Sequence, residues 1–474
     1  MNIEIAENLI NDPDEKARIL GIQMLAKSDD STDELLAKLA FDDSDQVAEA
    51  ACNAILFRQP WINFHPFKIR TAPDFTEENS YYIKWQGLCN GIKKGINEST
   101  NIKSKLSRWK KLYGAIPDII EALEANGHAE IASEFKSETD IYAERIDSSN
   151  QVLIAPTYKC NINCSYCYSK GWDEEFGGEL TLEDLDIFLN WAEKNNIQII
   201  QLAGGEPTIY SNLEELLIRI KNRGMKTWIT SNGMYSESVK KLISSDLVEQ
   251  LVGHYDQDII SQAEGSLEKF KGNLISAKNN GVDLILRYTM TPDSGKSEWV
   301  PALELANEIG IKILSYGFSF KGVFAANKHH SIEVNNIDEA FQEQFISFIK
   351  DCESAGLTPH QSKPIPLCSI SQDVLRDMVL KGYMRSSCPA YRRQYTQNLT
   401  VNPDLTTFPC NAIGVTGPKI NELTSFELAG KYHKPLLEKL HFHPYRDKCK
   451  NCILFYRGFC QGACLAEHYN DLKE

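Results

Sequence analysis

From Gln151 onward, apolar residues recur in short alternating or continuous runs, each followed by a longer stretch with apolar positions three and four apart. The runs QVLIAPT, IQIIQLAG, KTWITSNG, VEQLVGHY, DLILRYTM and KILSYGFSF predict six strands. TLEDLDIFLNWAEKNN, NLEELLIRIKNRG, SESVKKLISSD and VPALELANEIG predict helices between them. Six βα units in series predict an α/β fold over residues 150–335, with a parallel sheet wound right-handedly as an open sheet or a partial barrel. In such folds the chemistry sits at the carboxyl ends of the strands.

The chain ahead of this region has another texture. NDPDEKARILGIQML (Asn11 to Leu25) and FDDSDQVAEAACNAI (Phe41 to Ile55) each open on acidic, helix-capping residues and continue with apolar residues at helical spacing. Over residues 1–60 the pair resembles HEAT-type helical repeats, an all-α domain. Two repeats are too few to bury their own faces, so they are expected to pack on the next part of the chain. Thirteen Asp and Glu against five Lys and Arg in residues 1–60, a net of 5 − 13 = −8, fit a solvated helical face or a docking surface for a basic peptide. Residues 61–149 carry helical stretches such as KSKLSRWKKLYGAIPDIIEAL, read as a spacer or a peptide-recognition unit. A linker region, 336–384, holds the helix IDEAFQEQFISFIKDCESAG. Residues 385–474 then lose periodicity and gain cysteines, which predicts a separate, loop-rich domain held together by metal.

Composition narrows the class. A charge of −15 argues against a phosphate-backbone partner, so no nucleic acid is expected. No apolar run approaches the roughly 18 to 20 residues that cross a bilayer, and the start MNIEIAENLINDPDEKARIL lacks a basic, apolar signal. A cytoplasmic protein with no membrane partner is expected. Thirteen cysteines in a reducing compartment then point to metal ligands rather than disulfides.

Three of them, Cys160, Cys164 and Cys167, fall in one loop, KCNINCSYC, directly after the first predicted strand. Structural zinc takes four closed ligands, and the loop offers neither a fourth thiol nor a histidine. Three thiolates at this spacing can hold three corners of a 4Fe–4S cluster and leave the fourth iron open.

CNINCSYC resembles the CxxxCxxC signature of the radical S-adenosylmethionine superfamily, including the aromatic Tyr166 before the last cysteine. The resemblance implies that the open iron binds the amine and carboxylate of S-adenosylmethionine, and that one-electron cleavage gives a 5′-deoxyadenosyl radical that abstracts a substrate hydrogen. LAGGEP (Leu202 to Pro207) matches the family's GGE motif; glycines Gly204 and Gly205 allow backbone carbonyls to approach a ligand ammonium, and Glu206 supplies a negative partner. ITSNG resembles a further family motif and places Ser231 and Asn232 toward the ribose or methionyl part, although both are also ordinary caps. Arg287, in an otherwise apolar strand, corresponds to an arginine that related enzymes set against the methionyl carboxylate. His254, Tyr255, Asp256, Tyr316 and Ser319 stand at strand ends, where packing or capping competes with a substrate role.

Cys388, Cys410 and CKNCILFYRGFCQGAC (Cys449, Cys452, Cys460, Cys464) resemble the SPASM extension of radical enzymes, which carries auxiliary 4Fe–4S clusters, one or two here. The resemblance assigns Cys388, Cys410 and Cys464 to an inner cluster and Cys449, Cys452 and Cys460 to an outer one, each a thiolate short. Cys368 or an open iron could complete the inner set, and zinc competes for the outer. Where the family usually has glycine five positions before the second cysteine, this chain has Leu405. Cys52, Cys89 and Cys352 fit plain burial.

Members with this architecture mostly modify peptides or proteins. The resemblance therefore implies a maturase that installs an oxidative side-chain crosslink in a ribosomal precursor peptide, fed electrons by a flavodoxin or ferredoxin. A radical enzyme acting on a small molecule, a sulfatase-maturase-like protein oxidase and a helical-repeat redox sensor are the alternatives.

Overall fold

The computed structural model describes residues 3–28, 32–64, 80–99, 101–110, 112–146, 150–164, 167, 169, 171–176, 178–261, 263–291, 294–319, 339–386, 388 and 399–472. They form two compact units, Met1–Ser148 with Ile370–Gly382 and Arg446–Gly462, and Ser149–Ser369 with Tyr383–Tyr445 and Ala463–Glu474.

The first unit is helical. Ile3–Ile10 pairs with Glu15–Ala26, and Asp33–Leu39 with Asp45–Arg58. The acidic openings of the two similar segments act as caps: Asp14 accepts the Lys16 N–H and Ser44 the Val47 N–H, filling donors the first turn cannot satisfy. Helix Ser80–Glu98 carries Gly87 and Gly91 against Asp33–Leu39 and Gly95 against Phe41. A Cβ on Gly91 would stand 2.1 Å from the Glu34 carbonyl oxygen, so the close approach needs a residue without one. Segment Arg446–Gly462 belongs to this unit: Phe459 packs on Trp85 at 5.2 Å, and Arg457 lies over the same ring while pairing with buried Asp118. The expected contiguous carboxyl-terminal domain is thus divided, because this segment buries its aromatic residues among the helices.

The second unit is built on one ten-stranded open sheet. β1 (Gln151–Ile154), β2 (Ile199–Leu202), β3 (Lys226–Ser231), β4 (Gln250–Tyr255), β5 (Asp283–Met290) and β6 (Ile313–Phe318) are the six predicted strands, all parallel and in sequence order. Four more extend it. β7 (Thr358–Gln361) pairs parallel with β6 from within the expected linker, β8 (Thr400–Val401) pairs parallel with β1, and β9 (Thr406–Phe408) and β10 (Gly417–Lys419) follow antiparallel. The cysteine-rich tail therefore contributes strands to this open sheet instead of standing apart from it. These pieces are two to four residues long and gain stability only by pairing with an existing edge, so no sequence period announces them. On β5, Leu286, Tyr288 and Met290 are buried beneath helices, which leaves Arg287 and Thr289 for the other face.

Candidate active site

A cavity of about 440 Å³ opens at the carboxyl ends of the parallel strands, within the range of small-ligand sites. Cys160, Cys164 and Cys167 line one side, in the loop after β1. Two contacts hold that loop. The amides of Gly205 and Glu206 donate to the carbonyls of Thr157 and Lys159 at 3.0 and 2.9 Å. Below, Tyr158 and Trp172, from either end of the loop, meet edge to face at 5.2 Å over Phe176 and Phe408. Phe408 belongs to β9, so the carboxyl-terminal strands form the floor of the cysteine loop. Sequence reasoning missed this support; the aromatic residues flanking the loop were its only signal.

Gly204 and Gly205 line the cavity, and the structure gives them a different reason from the one expected. A Cβ on Gly205 would lie 2.2 Å from the Lys159 oxygen, and Gly204 has φ +125° with a Cβ position 2.7 Å from the Thr157 oxygen. Both admit the cysteine loop, whatever they do for a ligand.

Glu206 is fully buried, and its carboxylate is occupied by protein donors. It accepts from the Thr208 hydroxyl (2.6 Å) and amide, the Ser231 hydroxyl (2.8 Å) and the Asn232 amide (2.7 Å). Burial pushes its pKa up, against the lowering effect of those bonds. It is a clamp between the ends of β2 and β3. Asn232 then reaches the cysteine loop through Asn161 Oδ1 at 2.7 Å and Cys160 Sγ at 3.8 Å.

Arg287 lines the cavity beside His254, its register partner on β4, and is half-buried. His254 Nε2 lies 3.0 Å from the Thr289 hydroxyl. Burial, then Arg287, then Lys363 hold its pKa down at about 3, so its imidazole is neutral. Ser319 also lines the cavity. Tyr255 instead packs against Phe270 behind the sheet, Asp256 starts the short helix Gln257–Ile260, and Tyr316 is buried among Phe345 and Phe348. Tyr166 lies outside the described residues.

The donor set fits an iron–sulfur centre: the thiols of Cys160, Cys164 and Cys167 line one side of the cavity, and a four-iron cluster takes one thiolate at each ligated iron. Burial pushes the Cys160 thiol up, with Glu206 and Cys167 adding to it, against hydrogen bonds from the Ile162 backbone and the Asn232 side chain.

The remaining thiols divide with the two units: Cys449, Cys452 and Cys460 lie in the helical unit, and Cys388, Cys410 and Cys464 in the sheet unit. Cys464 is buried and its thiol is pushed up to about 12, chiefly by burial; neighbouring Lys363 lowers it and Cys410 raises it. Cys368 is exposed in the sheet unit. Cys52 and Cys352 are buried, while Cys89 donates to Asp118 at 3.4 Å.

A sequence model of the Radical SAM superfamily matches residues 154–320, from the end of β1 to just past β6. Residues 154–320 are a radical SAM domain. Enzymes of this superfamily use a 4Fe–4S cluster and S-adenosylmethionine. The chain is 24% identical over 243 residues to a probable GTP 3′,8-cyclase of Methanococcus maripaludis, covering 48% of this chain and 79% of that protein. It is 26% identical over 168 residues to Fe-coproporphyrin III synthase of Methanosarcina barkeri, covering 33% of this chain and 40% of that one. Among solved structures, Streptococcus suis SuiB bound to precursor peptide SuiA is similar, with TM-score 0.50 and 17% identity over 82% of this chain and 90% of that one. That is a likeness of fold. Among the described residues no helix is long and apolar enough to cross a membrane.

Proposed function

We propose that the protein is a cytoplasmic radical SAM peptide maturase that installs an oxidative C–C, ether or thioether crosslink in a ribosomal precursor peptide. The observation that carries the radical chemistry is one cavity shared by Cys160, Cys164, Cys167, the Gly204–Glu206 turn, Asn232 and Arg287. In this reading the three thiolates hold the cluster, which with S-adenosylmethionine supplies a 5′-deoxyadenosyl radical. Arg287 holds the methionyl carboxylate, and Ser231 and Asn232 border the nucleotide. Tyr166 is assigned to cofactor binding by family resemblance alone.

Two further features support a crosslink. Six more cysteines, Cys388, Cys410 and Cys464 in one unit and Cys449, Cys452 and Cys460 in the other, suit one or two auxiliary 4Fe–4S clusters. Such clusters can accept the electron released when a substrate radical forms a bond. The similar fold of SuiB, crystallised with a precursor peptide, supports a peptide substrate. A flavodoxin or ferredoxin would supply the reducing electron.

The test is mass spectrometry of a precursor peptide encoded beside this gene, after anaerobic incubation with the reconstituted enzyme, S-adenosylmethionine and reductant. A mass decrease from lost hydrogens, absent with Cys160→Ala, is expected; an unchanged mass refutes the peptide reading. The second reading, a small-molecule radical enzyme, is favoured by the names of the two sequence relatives. It predicts that 5′-deoxyadenosine release is stimulated by a low-molecular-weight cell fraction and not by peptide.

A further inference from the structure

The cavity wall formed by β4 to β7 differs chemically from the wall formed by the cysteine loop. Lys363, two residues beyond β7, lines the cavity together with Ser362, and Ser319 does so from the end of β6. Lys363 and Ser362 are fixed by their neighbours. The Lys363 ammonium donates to the Phe318 carbonyl at 3.1 Å, while its own carbonyl accepts from the Gln361 side chain at 2.7 Å. Ser362 fits because position 317 is glycine: a Cβ there would come within 2.5 Å of the Ser362 hydroxyl. The buried Ser319 hydroxyl makes no hydrogen bond among the described residues.

Charge at this wall opposes that of the chain. The protein carries a net −15, yet the two carboxylates lining the cavity, Asp173 and Glu206, come from the β1 and β2 side. The β4–β7 wall contributes Arg287 and Lys363. Around it, His254 is held neutral by burial and then by Arg287 and Lys363, and His360 is held down to about 4 by burial, Arg385 and Arg287. A partly buried, low-dielectric site with two cations and donor hydroxyls favours an anion.

We propose that Lys363, with the hydroxyls of Ser319 and Ser362, binds a carboxylate of the substrate. This rests on the peptide reading and names what the peptide presents: an unmodified ribosomal peptide has only side-chain and terminal carboxylates as anions. If Arg287 takes the methionyl carboxylate, Lys363 is a second anion site in the same cavity. Lys363 also neighbours Cys464.

The experiment is saturation-transfer NMR on the anaerobically reconstituted, S-adenosylmethionine-bound full chain. The probes are N-acetylglutamic acid α-amide (side-chain carboxylate), N-acetylalanine (terminal carboxylate) and the neutral N-acetylglutamine amide. At least one acid should bind about tenfold more tightly than the neutral probe, and the tighter acid identifies the source. Lys363→Met should abolish that preference and Lys363→Arg should restore it, with circular dichroism confirming the fold. Should Lys363→Met not fold, Ser319→Ala must weaken the acid preference measurably. Equal binding of acid and amide, a preference that persists in Lys363→Met, or stronger competition by inorganic phosphate overturns the site. An acid preference alongside an unchanged precursor mass leaves this site standing and removes the peptide reading.

Discussion

The Lys159 carbonyl oxygen accepts the Glu206 amide at 2.9 Å, and a Cβ on the intervening Gly205 would lie 2.2 Å from that same oxygen. The end of β2 and the cysteine loop are therefore in backbone contact. Gly205→Ala must push the loop outward. Because displacement of a reacting group by about 1 Å can cost about a hundredfold in rate, 5′-deoxyadenosine formation should fall by about that factor with secondary structure intact. Iron analysis and chromatography check this; unchanged iron content and activity would remove the role given to Gly205.

Glu206→Gln replaces a carboxylate that accepts from Thr208, Ser231 and Asn232 with an amide whose N–H₂ must face one of those donors. A buried donor left facing a donor costs about 1–3 kcal/mol. Denaturant unfolding should register that loss. The Asn232 contact to the cysteine loop should loosen with it, weakening S-adenosylmethionine binding in equilibrium dialysis.

Arg457→Met removes the cationic partner of Asp118, which is 8% exposed. Breaking a buried pair on one side costs about 3–5 kcal/mol. The helical unit should be destabilised by an amount in that range, and amide exchange should rise first in residues 446–462. Asp118→Asn with Arg457→Met should recover part of the loss, since no buried charge is then stranded.

Leu405 occupies the position where the resembled family usually has glycine, and its φ is +69°, in the left-handed region. It is also 2% exposed. Truncating a buried Leu to Ala costs about 2–5 kcal/mol, and glycine loses the same packing but relieves about 1 kcal/mol of backbone strain. Leu405→Gly should therefore melt above Leu405→Ala and below wild type, the reverse of the usual Ala over Gly order.

His433 is buried against Thr407, with Nε2 3.2 Å from the hydroxyl, and burial lowers its pKa from 6.5 to about 4. The unfolded chain takes up the proton first as pH falls. Stability contributed by this group is complete above pH 6.5 and is lost as pH drops toward 4, by about 3 kcal/mol. His433→Gln should flatten the unfolding free energy across that window relative to wild type, and an unaltered profile would contradict the assignment.

Much of this protein was written locally. The six central strands of the sheet, the capped helices at Asp14 and Ser44, and the spacing of Cys160, Cys164 and Cys167 all follow from residues within one or two turns of each other, so periodicity and motif reveal them. Tertiary structure alone decided the rest. It gave Gly205 its purpose against Lys159, committed Glu206 to Ser231 and Asn232, and set Phe408 beneath a loop over two hundred residues earlier. It also added strands β7 to β10 to the sheet and assigned Cys460 and Cys464 to different units. The physical reason is that short strands, buried carboxylates and aromatic floors are stabilised by distant partners, and a partner's distance along the chain leaves no trace in local composition.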